Sequence, residues 1–252
     1  MRFASLGSGS KGNATLVEAG DTCLLVDCGF SARELARRLA LMGLDGTRLS
    51  GILVTHEHGD HIKGVWTLAR RHQLAVYMTG GTARVADAPA DIDLHLITPQ
   101  QSFRVGGIDV LPVAVPHDAR EPVQFIFNYA GLKLGILTDL GHISAHVQAC
   151  YQGCDGLLVE ANHDPAMLAE GAYPYSLKQR VGGDWGHLNN AQTLGFLNGL
   201  ELGSLQTLVI GHISQQNNAL NVVQGVMAPI VDRVTQILYA SQDDCIAWLA
   251  LE

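Results

Sequence analysis

The stretch that most constrains this chain is Thr55-His56-Glu57-His58-Gly59-Asp60-His61, which places three imidazoles and Asp60 within six residues. It follows residues 51–54, an apolar run that predicts a buried strand. It precedes residues 62–70, whose apolar spacing predicts a helix. The cluster is therefore expected on a strand-to-helix turn, at the carboxyl end of a strand, where α/β folds usually carry their chemistry.

The residue types of this cluster predict a metal site. Imidazole nitrogens and carboxylate oxygens are ligands that Zn²⁺ and Mn²⁺ take. On a tight turn, alternating residues can divide into two sets, each facing a different ion. A solvated polar loop is the alternative, but the dense His and Asp spacing favours metal binding.

Three further ligand candidates follow predicted strands: His117 after residues 108–113, Asp139 at the end of 131–139, and His212 after 205–210. Together with the cluster they predict two metal ions. We expect His56, His58 and His117 around one ion and Asp60, His61 and His212 around the other. Asp139 is expected between the two ions, because a carboxylate has two oxygens to share.

Composition predicts a folded protein rather than a membrane or disulfide-rich one. The 252 residues, 47% of them hydrophobic and 16% charged, can bury a sizeable core. No apolar run has the length of a membrane span, and no signal peptide precedes the strand-like residues 2–6. Five cysteines without close pairing do not make a disulfide framework, so a cytoplasmic protein is expected.

The net charge of −8 argues against a broad positive surface for nucleic acid. A local basic channel remains compatible with it. The Gly/Ser loop at residues 7–13 offers amides and hydroxyls, including Ser10 and Asn13, for a phosphate. A plain hairpin turn explains this loop as well and is favoured. Asp27, at the end of the third predicted strand, is expected to orient the histidine turn as a hydrogen-bond acceptor.

The order of predicted elements indicates one α/β domain over residues 1–252, with two packed sheets and helices outside. Each half has strands followed by helices, with ligand-type residues at strand ends. The last two strands are expected at 235–240 and 245–249.

The ordered motifs H-x-H-x-D-H, loop His117, strand-end Asp139 and strand-end His212 resemble those of the metallo-β-lactamase-fold hydrolases. The resemblance covers almost the whole chain. It implies an αββα sandwich of two mixed sheets and the same assignment of metal ligands. Several segments, among them residues 6–13, 160–164, 186–190 and 211–218, are similar to the YycJ/WalJ-like branch, near tRNase Z and cyclic-phosphate phosphodiesterases. The chain departs from that branch at Ala161 and Asn189, where serines are expected.

The same resemblance gives roles to two further residues. In tRNase Z-like enzymes a Glu and a later Gly-His pair assist the leaving group, and Glu160 and His187 match those positions. Asp60, Glu160 and His187 are thus the predicted catalytic residues. Asn162 and His163 are candidate phosphate contacts, with structural roles as the alternative. No inserted arm like the one with which tRNase Z grips tRNA is present, which argues against tRNA processing.

The predicted function is hydrolysis of phosphodiester bonds in DNA or RNA, as a phosphodiesterase or exonuclease, by a water activated between two Zn²⁺ or Mn²⁺ ions. One alternative is a small cyclic-phosphate phosphodiesterase, which the acidic net charge favours. Another is a thioester or lactam hydrolase of the glyoxalase II kind. Glu160, His187 and Asp60 favour phosphoester chemistry over that second alternative.

Overall fold

The computed structural model describes residues 1–252, which form two mixed sheets of seven strands each. In chain order the strands are β1 (Arg2–Gly7), β2 (Ala14–Ala19), β3 (Thr22–Val26), β4 (Gly51–Leu53), β5 (Val76–Thr79), β6 (Leu94–Ile97), β7 (Phe103–Val105), β8 (Ile108–Ala114), β9 (Val123–Tyr129), β10 (Leu132–Leu137), β11 (Gly156–Glu160), β12 (Thr207–Gly211), β13 (Gln236–Tyr239) and β14 (Leu249–Ala250). The helices are α1 (Ala32–Leu41), α2 (Gly59–Ile62), α3 (Val65–His72), α4 (Gly80–Val85), α5 (Ala145–Cys150), α6 (Pro165–Glu170), α7 (Tyr175–Val181), α8 (Asn190–Asn198) and α9 (Leu220–Val231), with short 3₁₀ turns at Gly46–Arg48 and Leu202–Ser204.

The two sheets have matching topologies. The strand order is β14-β1-β2-β3-β4-β5-β6 in the first and β13-β12-β11-β10-β9-β8-β7 in the second. In each sheet one half is antiparallel and the other half, β3 to β6 or β10 to β13, is parallel. The coarse similarity of the two halves, predicted from the sequence, is thus confirmed.

Three hydrophobic cores hold together four layers, which are the two sheets and a layer of helices on the outer face of each sheet. Side chains such as Leu24 and Leu158 meet between the sheets. Leu35 of α1 packs on the outside of the first sheet, and Phe196 of α8 on the outside of the second. The predicted αββα sandwich is therefore confirmed. All five cysteines are free thiols, and none of the helices is both long and apolar enough to cross a membrane.

The parallel halves of the sheets position the functional residues. Carboxyl ends of neighbouring parallel strands meet at the same edge of a sheet. Asp27 follows β3 and the histidine turn follows β4, while Asp139 and His212 lie at the ends of β10 and β12. The strands β3, β4, β11 and β12 are buried along their whole length, which explains their continuous apolar sequences.

The helix expected at residues 62–70 is found as α3, Val65–His72, which begins three residues later and is separated by a break from the short helix α2. The carbonyl of Asp60 accepts from the Asn13 N–H (2.8 Å), and the N–H of Gly64 donates to the Cys28 carbonyl (2.7 Å). The Gly64 N–H and the Asp60 carbonyl therefore do not form the hydrogen bond that would join them in a continuous helix. A Cβ at Gly64 would lie only 2.3 Å from the Phe30 carbonyl oxygen. The loop after β3 thus packs into the helix and interrupts it.

The predicted bounds of the last strand, residues 245–249, were also wrong, because the strand is Leu249–Ala250. Only Leu249–Ala250 pairs with β1, while Ile246 makes a single hydrogen bond, to the Ser5 carbonyl (2.8 Å). The Trp248 indole N–H donates to Met42 after α1 (3.2 Å), which draws this segment away from the sheet. The short strand β7 was not predicted.

Truncating Leu158 to Ala is expected to lower the free energy of unfolding by about 2–5 kcal/mol, because this side chain is 1% exposed between the two sheets. Urea unfolding followed by circular dichroism measures the change. The matched control is Leu41→Ala at the end of α1, where Leu41 is 59% exposed, and its effect should stay within about 0.5 kcal/mol. Equal losses in the two variants would contradict the described inter-sheet core.

Candidate metal centre and hydrolytic site

Asp27, buried at the end of β3, anchors the histidine turn. Its carboxylate accepts three hydrogen bonds, from the Thr55 backbone N–H (2.9 Å), the Thr55 hydroxyl (2.8 Å) and His61 Nδ1 (2.8 Å). A buried carboxylate requires such donors, because burial without them is costly. The prediction that Asp27 orients this turn is confirmed.

The bond to Asp27 determines which nitrogen of His61 faces the site. Since Nδ1 donates to Asp27, Nε2 is directed at Asp139 Oδ1 (3.4 Å) and Asp60 Oδ2 (3.5 Å). Burial opposes a charge on His61, but the charges of Asp139, Asp27 and Asp60 raise its pKa well above the usual value. The surroundings of Nε2 therefore favour a positive charge, which a divalent cation can supply.

His56, His58 and His117 form a second cluster, with His58 Nδ1 at 3.0 Å from His56 Nε2 and 3.3 Å from His117 Nε2. The outer nitrogens are engaged elsewhere: His117 Nδ1 donates to the Gly186 carbonyl (3.0 Å), and His56 Nδ1 donates to the Thr55 hydroxyl (2.9 Å). Burial lowers the pKa of both His56 and His117, which keeps these imidazoles neutral. Nitrogen lone pairs then converge on one point, an arrangement that fits a cation.

Asp139 lies between this cluster and His212. Its carboxylate oxygens are 3.4 Å from His61 Nε2 and 3.2 Å from His212 Nδ1. Three groups of residues have ligand atoms within 4.8 Å of one another, and Asp139 belongs to two of them. The groups are His56 with His58 and His117, His56 with His61 and Asp139, and Asp139 with His187 and His212.

Two features differ from the predicted ligand sets. Asp60 belongs to none of the three groups, although its carboxylate faces His61. His187, predicted as a proton donor, belongs to one of them. The donor set of imidazoles and carboxylates nevertheless fits divalent metal ions.

Glu160 and His187 form a hydrogen-bonded pair beside Asp139. His187 Nδ1 donates to Glu160 Oε2 (3.0 Å), and Glu160 Oε1 accepts from the N–H groups of Leu140 and Leu188, both at 3.0 Å. Glu160 is completely buried and therefore fixed. Burial lowers the pKa of His187, but the charge and hydrogen bond of Glu160 outweigh it and raise that pKa to about 9. A pKa of about 9 favours the protonated form of the His187 imidazole at neutral pH.

Three strand-end residues of the site have left-handed backbones: Asp27 (φ 60°), Asp139 (φ 56°) and His212 (φ 48°). This conformation costs a non-glycine residue about 1–3 kcal/mol and persists where surrounding contacts impose it. For His212 the Ser8 hydroxyl accepts its N–H (2.8 Å) and the Asn162 amide donates to its carbonyl (3.0 Å). Asn162, predicted as a phosphate contact, therefore lies behind His212 and holds its backbone.

The other predicted substrate contacts lie in different places. Ser10 is exposed and lines the same cleft as Asp139. Asn13 is buried, with its amide nitrogen 3.0 Å from His61 Nε2 and 3.3 Å from Asp60 Oδ2, so it contacts the candidate ligands directly. His163 lines a neighbouring cavity, and burial lowers its pKa to about 4.

The candidate ligands open into a cleft of about 380 Å³. Its lining includes three residues that the sequence interpretation left out: Asp118, Tyr173 and Arg180. Asp118 Oδ1 lies 3.8 Å from His58 Nε2, and the carboxylate is paired with Arg180. Asp118 directly follows His117, so its position offered a signal. Tyr173 and Arg180 have no recognisable motif around them.

Comparisons with known proteins agree with this architecture. A family model described as "Beta-lactamase superfamily domain" matches residues 22–213. The chain is 34% identical over 223 residues to exodeoxyribonuclease YycJ of Bacillus anthracis, covering 86% of this chain and 84% of the relative. It is 32% identical over 231 residues to exodeoxyribonuclease WalJ of Streptococcus pneumoniae, and this match covers 86% of this chain and 83% of the relative. The crystal structure of Zn²⁺-bound PqqB from Methylobacterium extorquens has the same fold, with a TM-score of 0.73 over 100% of both chains at 18% identity.

Replacing Asp27 by Asn is expected to weaken metal binding about 10–100-fold, because an amide has one acceptor oxygen for three donors. Asn tolerates the left-handed backbone, so the turn itself should persist. Competition with a chromogenic chelator measures the affinity, and circular dichroism verifies the fold. The control is Asp45→Asn, an exposed residue before the 3₁₀ turn Gly46–Arg48. Unchanged affinity in Asp27→Asn would contradict the orienting role.

Proposed function

The chain belongs to the beta-lactamase superfamily and is a metal-dependent hydrolase, and from this premise we propose that it is a dinuclear nuclease that cleaves phosphodiester bonds of DNA. The observation that carries the proposal is the His187–Glu160 pair beside the candidate metal ligands. The relatives YycJ and WalJ, each named an exodeoxyribonuclease, support DNA as the substrate.

The proton donor distinguishes the substrate classes. A phosphodiester leaves an alkoxide, which is strongly basic and needs a proton as the bond to phosphorus breaks. A thioester leaves a thiolate, whose conjugate acid has a pKa of about 8.5, and it departs without such help. An imidazolium fixed by a completely buried carboxylate therefore fits phosphodiester hydrolysis better than thioester hydrolysis.

For the metal ions we propose His56, His58 and His117 as ligands of one and Asp60, His61 and His212 as ligands of the other, with Asp139 shared. Two bound divalent ions supply an activated water and neutralise charge on the phosphate. Both Zn²⁺ and Mn²⁺ accept this set of nitrogen and oxygen donors.

The side chains of the protein do the rest of the chemistry. Glu160 holds Nδ1 of His187, so Nε2 is the atom from which the proton passes to the leaving oxygen. Asp118 faces His58 and pairs with Arg180, and the two link the cleft wall formed by α7 to the histidine cluster. Arg180 places a positive charge in the cleft of a protein whose net charge is −8.

His187→Ala is expected to lower kcat on a DNA oligonucleotide by about 10²–10⁴-fold, because the alkoxide leaving group loses its proton donor. Turnover of bis-p-nitrophenyl phosphate should fall much less, because p-nitrophenolate is a weak base that departs without a proton. Metal content, measured by atomic emission, should be unchanged. His146→Ala is the control, since His146 is exposed on α5 outside the cleft.

Either of two results would count against this assignment. A loss of metal from His187→Ala would make His187 a ligand rather than a proton donor. Turnover of a thioester by the wild type, unaffected by His187→Ala and without any diester cleavage, would overturn phosphodiesterase function.

Metal titration tests the proposed ligand sets. The wild type should bind two Zn²⁺ or Mn²⁺ ions per chain, and a chelator should abolish activity until the metal is restored. His117→Ala should lose one of the two ions, because two nitrogens remain in its cluster. A stoichiometry of one ion in the wild type would refute the dinuclear assignment.

A further inference from the structure

A further cavity, distinct from the one that His163 lines, opens beside the cleft. It has a volume of about 150 Å³, and its lining includes Ser10, Lys11, Tyr173, Ser214, Gln215 and Gln216. Ser10 and Tyr173 also line the cleft. The two spaces are thus adjacent and share these two residues as a common wall.

The Gly/Ser loop that forms one side of this groove is rigidly held. The Gln242 side chain accepts from the Lys11 N–H (2.7 Å) and donates to the Gly12 carbonyl (2.9 Å). Asn13 Oδ1 accepts from the Gly9 N–H (2.8 Å). Gln242 and Asn13 are both buried, so the loop is fixed before any substrate arrives.

One backbone amide of this loop is left free. The N–H groups of Ser8, Gly12 and Asn13 donate to carbonyls of the protein, and those of Gly9 and Lys11 donate to the side chains just described. Ser10 alone makes no hydrogen bond with its N–H or its hydroxyl, and it is exposed where the groove meets the cleft. It therefore offers two donors to a ligand at the junction.

The charge of the groove suits an anion. No carboxylate lines it, whereas Asp60, Asp118 and Asp139 line the cleft. Lys11 is exposed, and its ammonium donates to Gln215 Oε1 (2.8 Å), which leaves two of its three donor positions available. A phosphate at this point would meet Lys11 and the free donors of Ser10.

Tyr173 adds an aromatic surface between the two spaces. The residue is partly buried and its hydroxyl has no hydrogen-bond partner. Aromatic side chains beside a positively charged groove are the usual means of holding single-stranded nucleic acid, because every base has a flat face that can stack. Gln216 and Ser214 add polar groups to the lining of the groove.

We propose that this groove is a nucleotide subsite, which binds the nucleotide next to the scissile phosphodiester with its phosphate on Ser10 and Lys11 and its base on Tyr173. The inference rests on the proposed nuclease function and makes it more specific. It makes the substrate a polynucleotide strand, because a small cyclic phosphate would occupy the cleft alone.

Three substrates of increasing length test the subsite with the metal-loaded enzyme. Bis-p-nitrophenyl phosphate has no nucleoside, the p-nitrophenyl ester of thymidine monophosphate has one, and a single-stranded oligothymidylate has neighbouring phosphates. The quantity compared is kcat/KM on each nucleotide substrate divided by kcat/KM on bis-p-nitrophenyl phosphate, so a general loss of folded enzyme cancels.

Tyr173→Ala should lower this ratio roughly tenfold or more on both nucleotide substrates, because base stacking is lost. Tyr173→Phe should restore it, since the ring remains. Lys11→Ala should lower the ratio only on the oligothymidylate, and it should reduce the slope of log affinity against log salt by about 0.7. Lys11→Arg should recover most of the effect. Arg84→Ala, an exposed cation on α4, is the control for charge alone.

Ratios at the wild-type value in both alanine variants, with the oligonucleotide still cleaved, would overturn the subsite and leave the nuclease function standing. An equal fall in Arg84→Ala would also overturn it, because the effect would be general electrostatics. A wild type that cleaves no oligonucleotide at all would contradict the nuclease function itself.

Discussion

The buried hydrogen bonds of Asp27 are the constraint on which the site depends. A carboxylate in this position must be satisfied by donors, and the donors available are Thr55 at the end of β4 and His61 at the start of α2. Satisfying it therefore joins two strands of the first sheet to the histidine turn. It also selects the nitrogen that His61 presents to Asp60 and Asp139, so one interaction sets both the path of the backbone and the chemistry of the ligand.

The imidazoles of the site divide into two kinds because their surroundings differ. Burial lowers the pKa of His56 and His117, and a neutral imidazole is the form that binds a metal ion. Glu160 raises the pKa of His187 to about 9, so this imidazole carries a proton. The ring centroids of His117 and His187 lie 5.3 Å apart, and the buried carboxylate of Glu160 is the main cause of the difference in their pKa values. Identical side chains in one cleft can thus serve different steps of hydrolysis.

The sequence predicted those parts of the molecule whose signal is local. Apolar runs ending in His117, Asp139 or His212 located the strands and the edge at which they meet, because parallel strands bring their carboxyl ends together. The ligand and catalytic assignments remain predictions, although their residues do converge. The break between α2 and α3 was missed because it comes from Cys28 and Asn13, which are distant in sequence. Tyr173 and Arg180 could not be placed either, since the position of α7 against the cleft depends on tertiary packing.

Because Gln242 comes late in the chain, the loop that it holds can become ordered only after the candidate metal ligands have been synthesised. The candidate metal ligands lie between residues 56 and 212, but the loop bearing Ser10 and Lys11 is held by a side chain made after all of them. Translation proceeds from the N-terminus at about 5–20 residues/s. For some seconds the growing chain therefore has its ligands without an ordered loop. The finished cleft therefore forms only after Gln242 has been synthesised.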